Sequence, residues 1–246
     1  MTPALPPLQR AALLLDLDGT LVDIAPTPDA VVVPPGLLDV LYALRRLIGD
    51  AVAVVTGRPV ETIDALLGDA VFAVAGEHGG AIRHAPGQPL ERPPLPVPSD
   101  TWLIEAAHLA TGHPGTLLER KAHGFALHYR AAPAAGPIFH DALTALLQGS
   151  DDFELLSGHM IWEVRPRGIN KGSAVVALMA RAPFQHRLPV FIGDDVTDED
   201  GIWAAVAMGG AGLRVPDNFA NAAGVRAWLQ RTAATGQWAD IDHAAH

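Results

Sequence analysis

Two carboxylates, Asp16 and Asp18, interrupt the apolar run that opens LLLDLDGTLVD at residue 13. An acid in such a setting is costly unless it is ion-paired, hydrogen-bonded or metal-bound, and two acids close together repel each other. Either a strand ends at Asp16, or a cation belongs beside it. A divalent ion answers the conflict, because Mg²⁺ prefers a few carboxylate or carbonyl oxygens together with water and phosphate. More acids follow in GDDVTDED, residues 193 to 200, where another apolar run hands over to a loop. Helix capping accounts for part of that cluster, with Thr197 as N-cap and Asp198, Glu199 and Asp200 in the first turn. Asp194 and Asp195 precede the cap, so they are read as metal ligands or as supports for them.

Lys171 begins the helical stretch NKGSAVVALMARA, where a cation faces the positive end of the helix dipole. A solvated lysine is the plain reading of such a residue taken alone. Beside an acidic metal cluster, a phosphate held by Lys171 becomes the better one. Thr56 and Gly57, at the tip of VVTGRP, add a hydroxyl and a backbone N–H next to a helix start, which suits an anion.

These residues need elements that bring them together. Four short apolar runs, ALLLDLDG, AVAVVTG, AVFAVAG and LPVFIGDD, end at small or polar residues and mostly precede helical patterns. Between the first two, Leu37, Leu38, Leu41, Leu44, Leu47 and Ile48 recur at helical spacing, and Pro59 stands where a helix can start without its N–H. Alternating strands and helices predict an α/β fold, a Rossmann-like parallel sheet whose right-handed crossovers put every strand C-terminus on one edge. Sites form along that edge. Asp16, Thr56 and Asp194 each end such a run.

Residues 84–98 carry six prolines, after which the texture changes. Helices are predicted over 99–110 and 137–147, with hairpins turning near His123 and Gly124 and at Ser157 and Gly158. The expected organisation is a core of residues 1–83 and 167–246, split by an inserted α+β domain of 84–166, with the tail TGQWADIDHAAH peripheral. The 246 residues are 49% hydrophobic with a net charge of −10 and no long basic run, which argues against a nucleic-acid or acidic-membrane partner. Without cysteine there are no disulfides, thiolate metal sites or cysteine nucleophile. No stretch approaches the roughly 20 apolar residues that span a bilayer. A cytoplasmic protein with no obligate protein partner is expected.

The segments DLDGTL, VVTGR, NKG and GDDVTDED, in this order with an insertion before the lysine, resemble the four motifs of haloacid-dehalogenase-superfamily phosphohydrolases. Finer matches, DGTLVDIAPTPDAVVVP, ERKAHGFALHYR, EVRPRGINKG and the full GDDVTDED, are similar to the trehalose-6-phosphate phosphatase family, from about residue 12 to 230. The resemblance implies that Asp16 is the nucleophile forming an aspartyl phosphate and that Asp18 is the acid and base. It implies Mg²⁺ held by Asp16, the Asp18 carbonyl and Asp194. Thr56, Gly57 and Lys171 would hold phosphoryl oxygens, with Asp195 and Asp198 supporting metal-bound water or Lys171.

The insertion resembles the superfamily's cap, which selects the substrate. Alternate strand residues share a face, so Glu119 with Lys121, His128 with Arg130, and Glu163 with Arg165 form a polar sheet face opposite Phe125, Leu127, Tyr129, Met160, Trp162 and Val164. One face of an antiparallel sheet often meets only water. Mixed acids and bases can equally grip sugar hydroxyls, and Glu119, Lys121 and Glu163 match family positions that contact the sugar distal to the phosphate. His128, Arg130 and Arg165 are further substrate candidates, and His78 in GEHGG is left without a role. The expected reaction is the hydrolysis of trehalose 6-phosphate, the last step in making trehalose. A phosphatase for a glycosyl-phosphoglycerate or sucrose phosphate, a phosphomutase and a non-catalytic sugar-phosphate sensor remain as alternatives.

Overall fold

The computed structural model describes residues 3–25, 27, 30–158 and 160–241. The chain divides into two compact units, Met1–Arg92 with Asn170–His246, and Pro93–Ile169. The first unit holds a six-stranded sheet of β1 (Ala11–Leu15), β2 (Val52–Val55), β3 (Ala73–Gly76), β4 (Ala81–Arg83), β9 (Leu188–Gly193) and β10 (Ala211–Arg214) in the order β10-β9-β1-β2-β3-β4. All neighbours are parallel except β3 and β4. The four runs read from the sequence are β1, β2, β3 and β9, and the first two are buried at every residue, as a strand covered on both faces must be.

β1 lies between β2 and β9. The chain leaves β1 through α1 (Leu37–Leu47) to β2 on one side, and runs from β9 through α6 (Glu199–Ala207) to β10 on the other. Right-handed connections stepping in opposite directions lay their helices on opposite faces, which opens a crevice beyond the C-terminal end of β1. The remaining helices of this unit are α2 (Val60–Leu67), α5 (Lys171–Met179), the short α7 (Val215–Asn218) and α8 (Ala222–Thr235). Leu37, Leu41 and Leu44 turn the buried side of α1 inward, as their spacing predicts.

Two expectations about this unit change. Residues 84–92, expected to open the insertion, fold back on β4: Ile82 and Glu91 exchange backbone hydrogen bonds at 2.9 and 2.8 Å. The tail is not peripheral as far as residue 241. Trp238 stacks on the buried Trp228 with ring centroids 5.2 Å apart and donates through Nε1 to the Pro6 carbonyl at 2.6 Å. Residues 242–246 of that tail lie outside the described residues, as do Pro26, Pro28 and Asp29 of DGTLVDIAPTPDAVVVP.

The second unit is a four-stranded antiparallel sheet of β5 (Leu117–Arg120), β6 (Phe125–His128), β7 (Phe153–Gly158) and β8 (Ile161–Pro166), in the order β5-β6-β8-β7. α3 (Asp100–Gly112) and α4 (Ala135–Leu146) cover its apolar face, where Phe125, Leu127, Val164, Phe139 and Leu143 are buried together. The second hairpin turns two residues later than expected. Gly158 still pairs with Ile161, so Ser157 and Gly158 belong to β7, Met160 is in the turn at positive φ, and His159 is outside the described residues. Among the described residues, no helix is long and apolar enough to cross a membrane.

Candidate active site

Asp16 follows β1 directly and is 4% exposed. Its backbone N–H still donates to the Ile192 carbonyl at 2.9 Å, so the ladder holds the residue at the tip of the sheet. The loop after it turns at Gly19, whose φ is +77°, and a side chain there would strike Asp194 Oδ2 at 2.1 Å. Glycine is therefore required twice over, once for the left-handed backbone and once to let the loop lie against Asp194.

Lys171 comes to the same place from α5. The helix is capped by Asn170, whose side chain accepts from the Ser173 N–H while the Ser173 hydroxyl accepts from the Asn170 N–H. That capping box fixes the first turn and with it the direction of Lys171. The ammonium is buried and donates to Asp16 Oδ1 at 2.7 Å and to Asp198 Oδ1 at 2.6 Å. Asp198 is wholly buried, and its Oδ2 accepts from the Asp194 and Asp195 N–H groups at 3.0 and 3.1 Å. One carboxylate thus ties the loop after β9 to the lysine.

The expected roles within the acidic stretch are redistributed. Asp195, read as a metal ligand or a support for one, is the N-cap: its Oδ1 accepts from the Thr197 N–H at 2.8 Å and from the Thr197 hydroxyl at 2.7 Å. A turn of 3₁₀ helix at Val196–Asp198 starts before α6, so the cap falls two residues ahead of Thr197. Among the described residues, Asp16, Asp194 and Asp198 form a group whose carboxylate oxygens lie within 4.8 Å of one another. An all-oxygen donor set of this kind suits a hard divalent ion. The observation that favours a cation is the charge: Asp16, Asp194, Asp195 and Asp198 gather around the ammonium of Lys171.

The protonation energetics carry the same message. Burial pushes Asp16 up to about 7 against the opposing pull of Lys171, and burial with repulsion from Asp195 and Asp198 brings Asp194 to about 6. Burial and the nearby Asp16 raise Asp198 to about 8. Burial alone would lower Lys171, but Asp16 and Asp198 outweigh it and hold the ammonium charged. Asp195 is lowered, since Lys171 and the bonds from Thr197 exceed the cost of burial.

Thr56 follows β2 directly and is buried, its Oγ1 accepting from the Arg58 N–H at 3.2 Å. A side chain at Gly57 would meet His78 Nε2 at 2.6 Å, so the imidazole of His78 lies against this loop. Asp18 is part-buried and held by Arg58 through Oδ1 and Oδ2. Arg58 stands inside the VVTGR segment read from the sequence, yet nothing in the spacing pointed to this partner.

On the sheet of the second unit, the register sets Glu119 opposite Ala126 and Ala126 opposite Glu163. A small residue separates two acids, and each acid has its own base. His128 Nε2 is 2.8 Å from Glu119 Oε2, and Lys121 Nζ donates to Glu163 Oε1 at 2.6 Å. The His128 bond holds Glu119 below the usual carboxylate range. Arg165, expected at the substrate, donates through Nε to Glu154 Oε1 at 2.8 Å, its cross-strand neighbour. Arg130, expected to share a strand face with His128, lies in the turn after β6 and is exposed.

A family model described as Trehalose-phosphatase matches residues 14–206. The probable trehalose-phosphate phosphatase of Sinorhizobium fredii is 38% identical over 209 residues, covering 85% of this chain and 78% of that one. The trehalose-6-phosphate phosphatase of Escherichia coli K12 is also 38% identical, over 211 residues, covering 84% and 77%. The C-terminal domain of the C. albicans trehalose-6-phosphate phosphatase has the same fold, with a TM-score of 0.73 at 21% identity over 92% of this chain and 93% of that one. The matched stretch takes in the Asp16 loop, Thr56, the second unit, Lys171 and the acidic loop after β9, and on that ground the chain belongs to the trehalose-phosphatase family of phosphoric monoester hydrolases.

Proposed function

We propose that this protein hydrolyses trehalose 6-phosphate to trehalose and inorganic phosphate, with Asp16 as nucleophile. The observation that carries this reading is the excess of buried carboxylate around Lys171 at the C-terminal edge of the parallel sheet. Such a pocket repels a phosphoester until a cation is bound. Asp16 and Asp194, with the Asp18 carbonyl, would hold Mg²⁺, which when bound supplies Lewis-acid charge that offsets repulsion between the nucleophile and the phosphoryl group.

The residues divide the chemistry as follows. An oxygen of Asp16 bonds to phosphorus as the ester P–O bond breaks, and Asp18 gives a proton to the departing sugar oxygen. Water then attacks the aspartyl phosphate, Asp18 takes its proton, and the bond from Asp16 to phosphorus breaks. Lys171, the Thr56 hydroxyl and the Gly57 N–H hold phosphoryl oxygens, where their positive ends matter most as charge shifts in the transition state. Asp198 keeps Lys171 aimed and the loop after β9 in place. Glu119, Lys121, His128 and Glu163 recognise sugar hydroxyls, exchanging their present partners for groups that both donate and accept.

Phosphate release across trehalose 6-phosphate, sucrose 6-phosphate, a glycosyl-phosphoglycerate and glucose 6-phosphate, with and without Mg²⁺, tests the proposal. Mg²⁺-dependent release with trehalose 6-phosphate far ahead is the expected result. A preference for another ester would reassign the substrate, and equal rates in chelator would remove the cation from the account.

A further inference from the structure

Arg58 makes a contact that the reaction as described above does not use. Its Nε donates to Asp18 Oδ2 at 2.6 Å and its Nη2 to Oδ1 at 2.8 Å. Two parallel bonds of this kind fix the direction of a carboxyl group, which a lysine ammonium cannot do. Arg58 is itself anchored on both sides: its N–H donates to Thr56 Oγ1 at 3.2 Å, and its carbonyl accepts from the Glu77 N–H at 3.0 Å. The residue that joins the tip of β2 to α2 therefore reaches the loop after β1 from a fixed base.

We propose that Arg58 is a positioning residue that acts through Asp18, aiming its carboxyl group at the oxygen that leaves the ester. The inference rests on the acid role of Asp18 given above. A carboxyl group has two oxygens, and when one carries the proton the other remains an acceptor that stays with Arg58. Both oxygens accept from Arg58 in the structure, so the oxygen that takes the proton gives up that bond and faces the substrate while the other keeps the group anchored. As the ester P–O bond breaks, its electron pair passes to the sugar oxygen, which takes the proton. In the second step a proton of the attacking water returns to the same oxygen of Asp18 while the bond from Asp16 to phosphorus opens. Throughout, Arg58 makes no bond to the substrate. The pair is part-exposed, with side chains 15% and 35% accessible, so its contribution to folding is small and its removal should be felt in the chemistry.

The test compares kcat/KM for trehalose 6-phosphate with that for p-nitrophenyl phosphate, whose leaving group departs without being protonated. Arg58→Lys and Arg58→Gln should lower the value for the sugar ester by about ten- to a hundredfold, a part of what general acid catalysis supplies. The value for the aryl ester should change by less than about threefold, and neither variant should lower activity further in the Asp18→Asn background. Equal losses on both esters, or an added loss in the Asp18→Asn background, would overturn the proposal. If Asp18→Asn alone slowed both esters equally, the acid role itself would fall, an outcome distinct from failure of the Arg58 inference. Melting temperatures close to that of the parent protein exclude unfolding as the cause.

Discussion

In the first unit Lys171 lies 2.7 Å from Asp16 and 2.6 Å from Asp198, all three nearly sealed from solvent, with Asp194 and Asp195 close by. On the sheet of the second unit each acid faces a basic side chain: Lys121 with Glu163, His128 with Glu119, Arg165 with Glu154. The first arrangement has more negative charge than its own residues can offset, while the second sets a base against each acid. An unbalanced buried cluster calls for a cation and then for the anion that the cation attracts. A paired polar face calls for nothing, and it binds a neutral, hydroxyl-rich group only by trading one set of hydrogen bonds for another. Loss of charge in the first unit should therefore strike turnover, and loss of a pair in the second should strike affinity.

The largest effect that sharpens this contrast is expected from Asp194→Asn, or from chelation of divalent ions. Either should reduce kcat by about a hundredfold or more, as loss of electrostatic stabilisation at a reacting centre does. Steady-state phosphate release measures it, and an unchanged kcat would break the comparison at its stronger side. Next come Glu119→Gln and Glu163→Gln, each expected to raise KM for trehalose 6-phosphate by about tenfold with kcat nearly kept, the scale of one charge-assisted hydrogen bond. A fall in kcat with constant KM would place these residues in the chemistry instead.

Stability against pH sharpens the comparison further. Asp16, Asp194 and Asp198 are raised from 3.8 to about 7, 6 and 8. Between about pH 4 and pH 8 the metal-free folded chain keeps protons that the unfolded chain has released, so its stability falls as pH rises through that window. Lys171 adds a constant there, because its raised value contributes fully below the unfolded 10.5. Urea unfolding at several pH values should show this fall in chelator and a shallower one in Mg²⁺. A slope of opposite sign would mean that the cluster is not strained by its own charge. The smallest effect is expected from Arg165→Met, which removes one member of a cross-strand pair. It should cost about 1 kcal/mol of stability and leave KM within about twofold.

The same contrast explains what was legible in the sequence. Asp16, Thr56, Asp194 and Lys171 could be found because each sits where an apolar run stops or a helix begins, and the parallel topology then brings such ends together. β10 and β4 escaped notice because AGLR and AIR are too short to show a period. The cap moves from Thr197 to Asp195 because a 3₁₀ turn starts ahead of α6, a matter of two residues that capping patterns alone do not resolve. Arg130 was misplaced because β6 stops at His128, so alternation was carried past the strand's end. The Arg58 to Asp18 pair and the Arg165 to Glu154 pair join residues by folding rather than by spacing, 40 and 11 positions apart. Trp238 was hidden in a polar tail, although its ring is the reason that tail packs.

The most direct test is to stop the enzyme with acid during turnover of trehalose 6-phosphate in Mg²⁺ and locate the phosphoryl group by mass spectrometry of the digested chain. The account predicts the adduct on the peptide bearing Asp16, and no adduct and no turnover in Asp16→Asn. A phosphoryl group on another residue, or phosphate release that persists in Asp16→Asn, would contradict it.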